Sequence, residues 1–387
     1  MLKPRKCLLE IREYHSPLGS EVKLRLDMNE STTGCSPRVL ARLQSMDAKK
    51  LALYPPREPG EKLVAAFLGV GASQVILTNG ADEGIDLVCR GYLETGDDVI
   101  IVPPTFAMYE VLARAAGANV VRIPAGEDFA FPVEEVIQAV TPKTRIIFIT
   151  NPNNPTGVTV NKFAIVRIAT SAPDAAILVD EAYFEFCGQS VLDQVGKIKN
   201  IFVLRTFSKA FGMAGMRLGV LAGAHEHIGV LRRMCPPFNV NACALECLRE
   251  AVTDRQFVAD YVKQVRETRE WTQKQLEELG FKCWPSQGNF VLCRLGEHKA
   301  AILETMLECG VSLRDRPDCE GCVRISIGTQ KEMEHVLYLL KEITSRITAV
   351  EHPELQAAPE TESTPASEST TEPQATPGPE AAPEAEP

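Results

Sequence analysis

Thr206 to Arg217 reads T-F-S-K-A-F-G-M-A-G-M-R, with Lys209 set among small and apolar residues directly after the strand-like run Ile201 to Leu204. Desolvation at such a place lowers an amine's pKa from its reference of roughly 10.4 and makes it a candidate nucleophile. Ser208 and Arg217 add a hydroxyl and a guanidinium, a combination suited to gripping a phosphate. A lysine beside a phosphate grip suggests pyridoxal phosphate held as a Schiff base. A solvated surface lysine is the alternative, and the rest of the chain has to choose between them.

Upstream, strands and helices alternate. Val75 to Thr78, Asp98 to Val102, Val120 to Ile123, Thr144 to Thr150 and Ala176 to Val179 read as strands, with helices at Phe106 to Ala116, Val133 to Val140 and Phe163 to Ser171 between them. Near-continuous Val and Ile in the strands predicts an α/β fold with a mostly parallel sheet covered on both faces. Ligands gather at the C-terminal strand ends of such sheets. The polar loops Gly80-Ala81-Asp82-Glu83, Asn151-Pro-Asn-Asn-Pro-Thr-Gly157 and Asp180-Glu181-Ala182-Tyr183 fall at those ends. A glycine where a strand meets a helix lets backbone N–H groups approach an anion at the helix N-terminus.

Downstream, Thr253-Asp254-Arg255-Gln256 fits a capping box opening a long helix that stops at Gly280, and Thr329-Gln330-Lys331-Glu332 fits another. Strands around Pro285 to Asn289, at Val311 to Leu313 and at Val323 to Ile327 suggest a smaller α+β domain. The expected division is an N-terminal arm (1–35), a large domain (36–244), a small domain (245–349) and a tail (350–387). The tail is Pro, Glu, Ala, Ser and Thr with almost nothing large and apolar, so it cannot offset its ordering entropy.

Composition narrows the function. The net charge of -10 sits in the tail: nine of the 51 acidic residues lie in 351–387, which holds no Lys or Arg. The preceding 350 residues carry 42 acidic against 41 basic groups and no basic cluster, which argues against nucleic acid. The 12 cysteines are scattered through apolar runs and suit reduced thiols. Cys319 and Cys322 form one C-x-x-C without a second pair, so no metal is expected. No apolar run approaches the ~18 residues of a membrane span, and the N-terminus has no apolar leader core. A cytoplasmic protein is the expectation.

The ordered set G-A-D-E-G, P-P-T-F, N-P-N-N-P-T-G, D-E-A-Y, T-F-S-K-A-F-G-M-A-G-M-R and V-R-I-S-I-G, spread from residue 80 to 328, resembles the fold-type I aminotransferases of classes I and II. The resemblance covers nearly everything from Leu24 to about Ile347. It implies that Lys209 is the Schiff-base lysine and proton carrier, that Asp180 pairs with the pyridine nitrogen, and that Asn154 and Tyr183 bond the ring's 3-oxygen. Phe106 would lie against the ring, with plain core packing as its alternative. Ala81, Asp82, Ser208 and Arg217 would hold the phosphate, with the Thr206 hydroxyl behind them. Tyr54 matches a tyrosine that reaches the phosphate of a neighbouring subunit, which implies a homodimer with shared sites; it could equally be a core residue.

On the substrate side the resemblance assigns Arg324 to a carboxylate and Arg314 to a phosphate arm, planar recognition of the kind arginine provides. Asn29 matches the arm's N-E motif and Tyr14 a lid. An amino donor and a 2-oxo acid are the implied partners, with L-histidinol phosphate and 2-oxoglutarate the leading pair. An aromatic amino acid transaminase or a threonine-phosphate decarboxylase is the alternative. Ser31-Thr32-Thr33-Gly34 replaces the family's usual N-P and Gly run, a departure confined to the substrate side.

Overall fold

The strand-like runs become two sheets in the computed structural model, which describes residues 2–9, 11 and 22–351. The strands, in chain order, are β1 (Leu24–Leu26), β2 (Val75–Thr78), β3 (Asp98–Ile101), β4 (Asn119–Arg122), β5 (Thr144–Thr150) and β6 (Ala176–Asp180). They continue as β7 (Ile201–Thr206), β8 (Gly219–Ala222), β9 (Lys282–Trp284), β10 (Phe290–Arg294), β11 (Val311–Asp315) and β12 (Cys322–Ser326). The described residues to Thr344 form one compact unit; from Ser345 on, the described residues are the end of the helix Gln330–Glu351.

Seven strands make the larger sheet in the order β2-β8-β7-β6-β5-β3-β4. Every residue of β6 and β7 is buried, which is why their sequences carry no alternation of polar and apolar residues. At the edge, β4 ends in exposed Asn119 and Arg122. The sheet is parallel except for β8, which runs antiparallel to both β2 and β7. A short connection suffices between antiparallel neighbours. The Lys209 stretch is that connection, leaving β7 at its C-terminal end and returning at Gly219.

The smaller sheet has the order β1-β11-β12-β10-β9. Its first strand comes from the N-terminal part of the chain: Leu24 to Leu26 pair in parallel with Val311 to Leu313. The other neighbours are antiparallel, and β12 places Arg324 opposite Arg314 of β11.

Local chemistry decides the helix ends. Ser36 caps the helix Pro37–Gln44, its hydroxyl accepting from the Arg38 N–H. Gly69 closes the helix Glu58–Leu68 in a left-handed conformation, so the Gly69–Gln74 segment is a helix stop and turn. The capping box at Thr329 forms: the Thr329 N–H donates to Glu332 (2.7 Å) and the Glu332 N–H to the Thr329 hydroxyl (3.3 Å). The box expected at Thr253 does not. Thr253 is instead the last residue of a separate helix, Ala242–Thr253, its hydroxyl donating back to the Arg249 carbonyl at 2.8 Å. Asp254, at the start of the helix Arg255–Glu278, takes a hydrogen bond from the Ser36 hydroxyl. No described helix is long and apolar enough to cross a membrane.

Candidate active site

Five loops leave the C-terminal ends of β2, β3, β5, β6 and β7 and converge on a cavity of about 430 Å³. It is lined by Ala81, Asp82, Phe106, Asn154, Asp180, Tyr183, Thr206, Ser208, Lys209, Arg217, Arg314 and Arg324. These come from seven separate segments of sequence, and every one had been singled out from the sequence. Asn29 lies just behind the wall, its side-chain amide donating to the Tyr183 hydroxyl at 2.9 Å. Tyr54 is elsewhere: 78% exposed and stacked on Phe238 with ring centroids 4.5 Å apart. Tyr14 lies outside the described residues.

Lys209 follows β7 in the loop, and its Nζ donates to the Met28 carbonyl at 2.8 Å. Burial lowers its pKa from 10.5 to about 8, with the nearby Arg324 guanidinium adding to the effect and Glu30 and Asp82 opposing it. About a tenth of the amine is therefore free base at pH 7, far more than for an ordinary lysine, and the free base is the form a nucleophile or proton acceptor requires.

Asp180 ends β6, where its carboxylate faces the cavity. One oxygen accepts from the Ala182 N–H (3.0 Å) and the other from the Tyr109 hydroxyl (2.7 Å), which in turn accepts from Thr150 (2.9 Å). Burial nevertheless pushes Asp180 up to about 6, the two hydrogen bonds resisting. Tyr109 is driven well above its usual range, by burial first and by the Asp180 charge second, so it remains a neutral donor. Burial also raises the Tyr183 hydroxyl, against the pull of Arg324 and of the Asn29 hydrogen bond.

A phosphate-shaped set of donors surrounds the start of the helix Gly80–Tyr92. Its cap residue, Asn79, makes no side-chain bond to the first-turn N–H groups, leaving the N–H ends of Ala81 and Asp82 for an anion. Arg217, in a left-handed conformation (φ 52°), reaches across to Asp82 at 3.0 Å. Gly80 itself lies in the left-handed region (φ 77°), which favours glycine, and a Cβ there would push the Arg217 guanidinium aside. The Ser208 hydroxyl is held by Thr206, whose Oγ1 donates to it at 3.0 Å and accepts from the Ser208 N–H at 3.1 Å.

Arg324 is buried on β12, donating to the Asn154 side-chain oxygen at 2.6 Å and to the Asp27 carbonyl. Behind the site Arg205 pairs with Glu181 at 2.7 Å and lies 3.4 Å over the Phe184 ring. That pair anchors the strand ends carrying Asp180 and Lys209, which flank it by one and four residues.

Sequence reasoning missed Tyr109, Thr150, Met28, Glu30 and Arg316, which also line the cavity. Tyr109 could have been found, since it stands three residues beyond Phe106, one helical turn, and its ring meets Phe106 edge-on at 5.6 Å. Arg316 had a weaker signal, two residues beyond Arg314 on an alternating strand. Among the described residues no cluster of His, Cys, Asp and Glu could hold a metal ion.

These residues fit pyridoxal phosphate. A buried carboxylate raised to about 6 is relieved by a cationic nitrogen placed before it, a cradle of N–H, hydroxyl and guanidinium donors suits a phosphate, and a lysine lowered to about 8 suits an aldehyde.

The family profile for aminotransferase class I and II matches residues 21–340. A histidinol-phosphate aminotransferase of Dehalococcoides mccartyi strain CBDB1 is 33% identical over 330 residues, covering 84% of this chain and 91% of its own. Another, from Roseiflexus castenholzii, is 35% identical over 359 residues, 88% of this chain and 96% of its own. The fold is that of the Sinorhizobium meliloti histidinol-phosphate aminotransferase, solved in complex with pyridoxal-5'-phosphate, at a TM-score of 0.79, 21% identity, and coverage of 84% and 92%. With the family come the fold-type I architecture, transaminase chemistry and pyridoxal phosphate as cofactor. This chain is a member of the class I and II aminotransferases.

Proposed function

We propose that this aminotransferase moves an amino group between L-histidinol phosphate and 2-oxoglutarate, forming imidazole acetol phosphate and L-glutamate in histidine biosynthesis. The observation that carries this reading is the register of Arg314 opposite Arg324, both lining the cavity that holds Lys209. Two guanidiniums beside one amine suit a pocket that takes a carboxylate in one half-reaction and a phosphate ester in the other. The relatives' names point the same way.

Lys209 would hold the cofactor through its Nζ, Asp180 would face its pyridine nitrogen, and Asn154 and Tyr183 would bond its ring oxygen. Ala81, Asp82, Ser208 and Arg217 would take its phosphate, with Thr206 orienting Ser208 and Phe106 against the ring. When bound, pyridoxal phosphate supplies an electron sink for the substrate's α-carbon. Lys209 Nζ then takes the proton from that carbon and returns it, as the base role requires. Arg324 grips the carboxylate of glutamate and Arg314 the phosphate ester. Asn29 fixes the Tyr183 hydroxyl.

The working form in this reading is a homodimer in which Tyr54 serves the partner's site. Exposed Leu51, Leu53 and Phe238 accompany Tyr54 as candidate interface residues. The division into arm, large domain, small domain and tail is part of this reading, supported by the separation of the strands into two sheets, although the arm lends β1 to the smaller one. Twelve unpaired thiols suit the reducing cytoplasm.

A panel of amino donors and 2-oxo acids tests the substrate. Turnover of histidinol phosphate with 2-oxoglutarate is the expected result. Transamination of phenylalanine, or decarboxylation of threonine phosphate, with no use of histidinol phosphate would overturn it.

A further inference from the structure

All 12 cysteines are free, and two of them face one another across a strand pair. Cys283 of β9 and Cys293 of β10 are direct partners in the antiparallel register, between the pairs Leu292–Trp284 and Arg294–Lys282. Among the described residues no other two cysteines share a register position. Opposed residues in such a pair have Cα atoms about 4.5 to 5.5 Å apart. A disulfide spans roughly 4.4 to 6.8 Å between Cα atoms. The backbone is already at bonding separation. Directly opposed residues also project to the same face of the sheet, and the Cys293 thiol is held well above its usual range by the neighbouring Cys283 thiol first and by burial second.

The two thiols differ in access. Cys283 lies on β9, the edge strand of its sheet, and is partly exposed. Cys293, one strand further in, is fully buried. Cys322, the next nearest cysteine to influence Cys293, stands opposite Arg294 and so on the other face of the sheet. An oxidant therefore reaches Cys283 first, and Cys293 is the one thiol placed to resolve it.

We propose that Cys283 and Cys293 form a reversible disulfide when the protein meets hydrogen peroxide. The Cys283 thiolate attacks one peroxide oxygen, the O–O bond breaks, and the oxygen that leaves takes a proton to become water. The sulfur of Cys293 then attacks the resulting sulfenic sulfur, forms the S–S bond, and the hydroxyl departs as a second water with the Cys293 proton. Two electrons pass from the pair of thiols to one peroxide.

The test uses the full chain with its cofactor bound. After peroxide treatment the remaining thiols are alkylated and an unreduced digest is mapped by mass spectrometry. The expected product joins the peptides of Cys283 and Cys293, two hydrogens lighter than the free pair, and vanishes on reduction. Cys283→Ser removes that product while keeping transaminase turnover. Oxidation of Cys283 to sulfinic or sulfonic acid with Cys293 still free would overturn the proposal. A link from Cys283 to another cysteine, or no link at all, would do the same.

Discussion

Arg314 and Arg324 stand directly opposite each other across the antiparallel pair of β11 and β12, and both reach the cavity of Lys209. Two like charges at one register position repel and are unfavourable in a sheet without a purpose. A pocket for two anions gives them one. Arg314→Ala should raise KM for the phosphate ester about 10-fold to 100-fold, the loss expected of one charge-assisted pair, and leave KM for glutamate nearly unchanged. Steady-state kinetics with each substrate separates the two; equal damage to both would show that Arg314 does not read the phosphate.

Lys209→Ala should lower turnover by at least about 1,000-fold, the scale on which essential catalytic groups act. The visible absorbance of lysine-bound cofactor should vanish, although the phosphate cup remains to hold the cofactor. An active, coloured mutant would contradict the role given to Lys209.

The same lysine sets a pH dependence. Its protonated form cannot attack an aldehyde, and its pKa is lowered to about 8, so the rate of cofactor loading onto apoprotein should rise roughly tenfold per pH unit below 8 and level off above it. Arg324 is the second cause of the lowering. Arg324→Gln should therefore move the midpoint upward, which stopped-flow loading across a pH series would read directly. A midpoint unmoved by that change would disconnect the two groups.

Tyr109→Phe removes the hydroxyl donor to Asp180. That bond resists the upward push of burial, so its loss raises the Asp180 pKa further and leaves less carboxylate at a given pH. Affinity for the cofactor should weaken, and the acid limb of the activity profile should shift to higher pH. Thermal unfolding of the apoprotein monitors any loss of packing separately.

Mixing Lys209→Ala and Tyr54→Ala subunits tests the shared site. Random pairing makes half the dimers hybrid, and each hybrid has one site with both residues intact, so activity should recover to about a quarter of wild type. No recovery would place Tyr54 outside the partner's site.

Much of the cavity's lining was legible because its motifs sit at successive strand ends of one mostly parallel sheet, where sequence order and spatial convergence coincide. Asp180, Asn154 and Lys209 are cases in point. What escaped was non-local or locally ambiguous. Four residues, G-V-L-A, after a glycine-rich loop do not announce β8 as an antiparallel insertion. The Thr253 capping box has the right letters, but Thr253 belongs to the preceding helix and Asp254 binds Ser36. The facing of Arg314 and Arg324 is a matter of register between strands, which no spacing along the chain encodes. Tyr109 stands one turn beyond Phe106, but nothing along the chain shows that its hydroxyl meets Asp180.

The smaller sheet's first strand has a mechanical meaning. Leu24 to Leu26 ride on β11, and within three residues the chain delivers the Met28 carbonyl to Lys209 and the Asn29 amide to Tyr183. Asn29 also donates its N–H to Ser326 at the end of β12. A displacement of the smaller sheet would thus bear directly on Lys209 and Tyr183, like a pushrod between a lever and a valve.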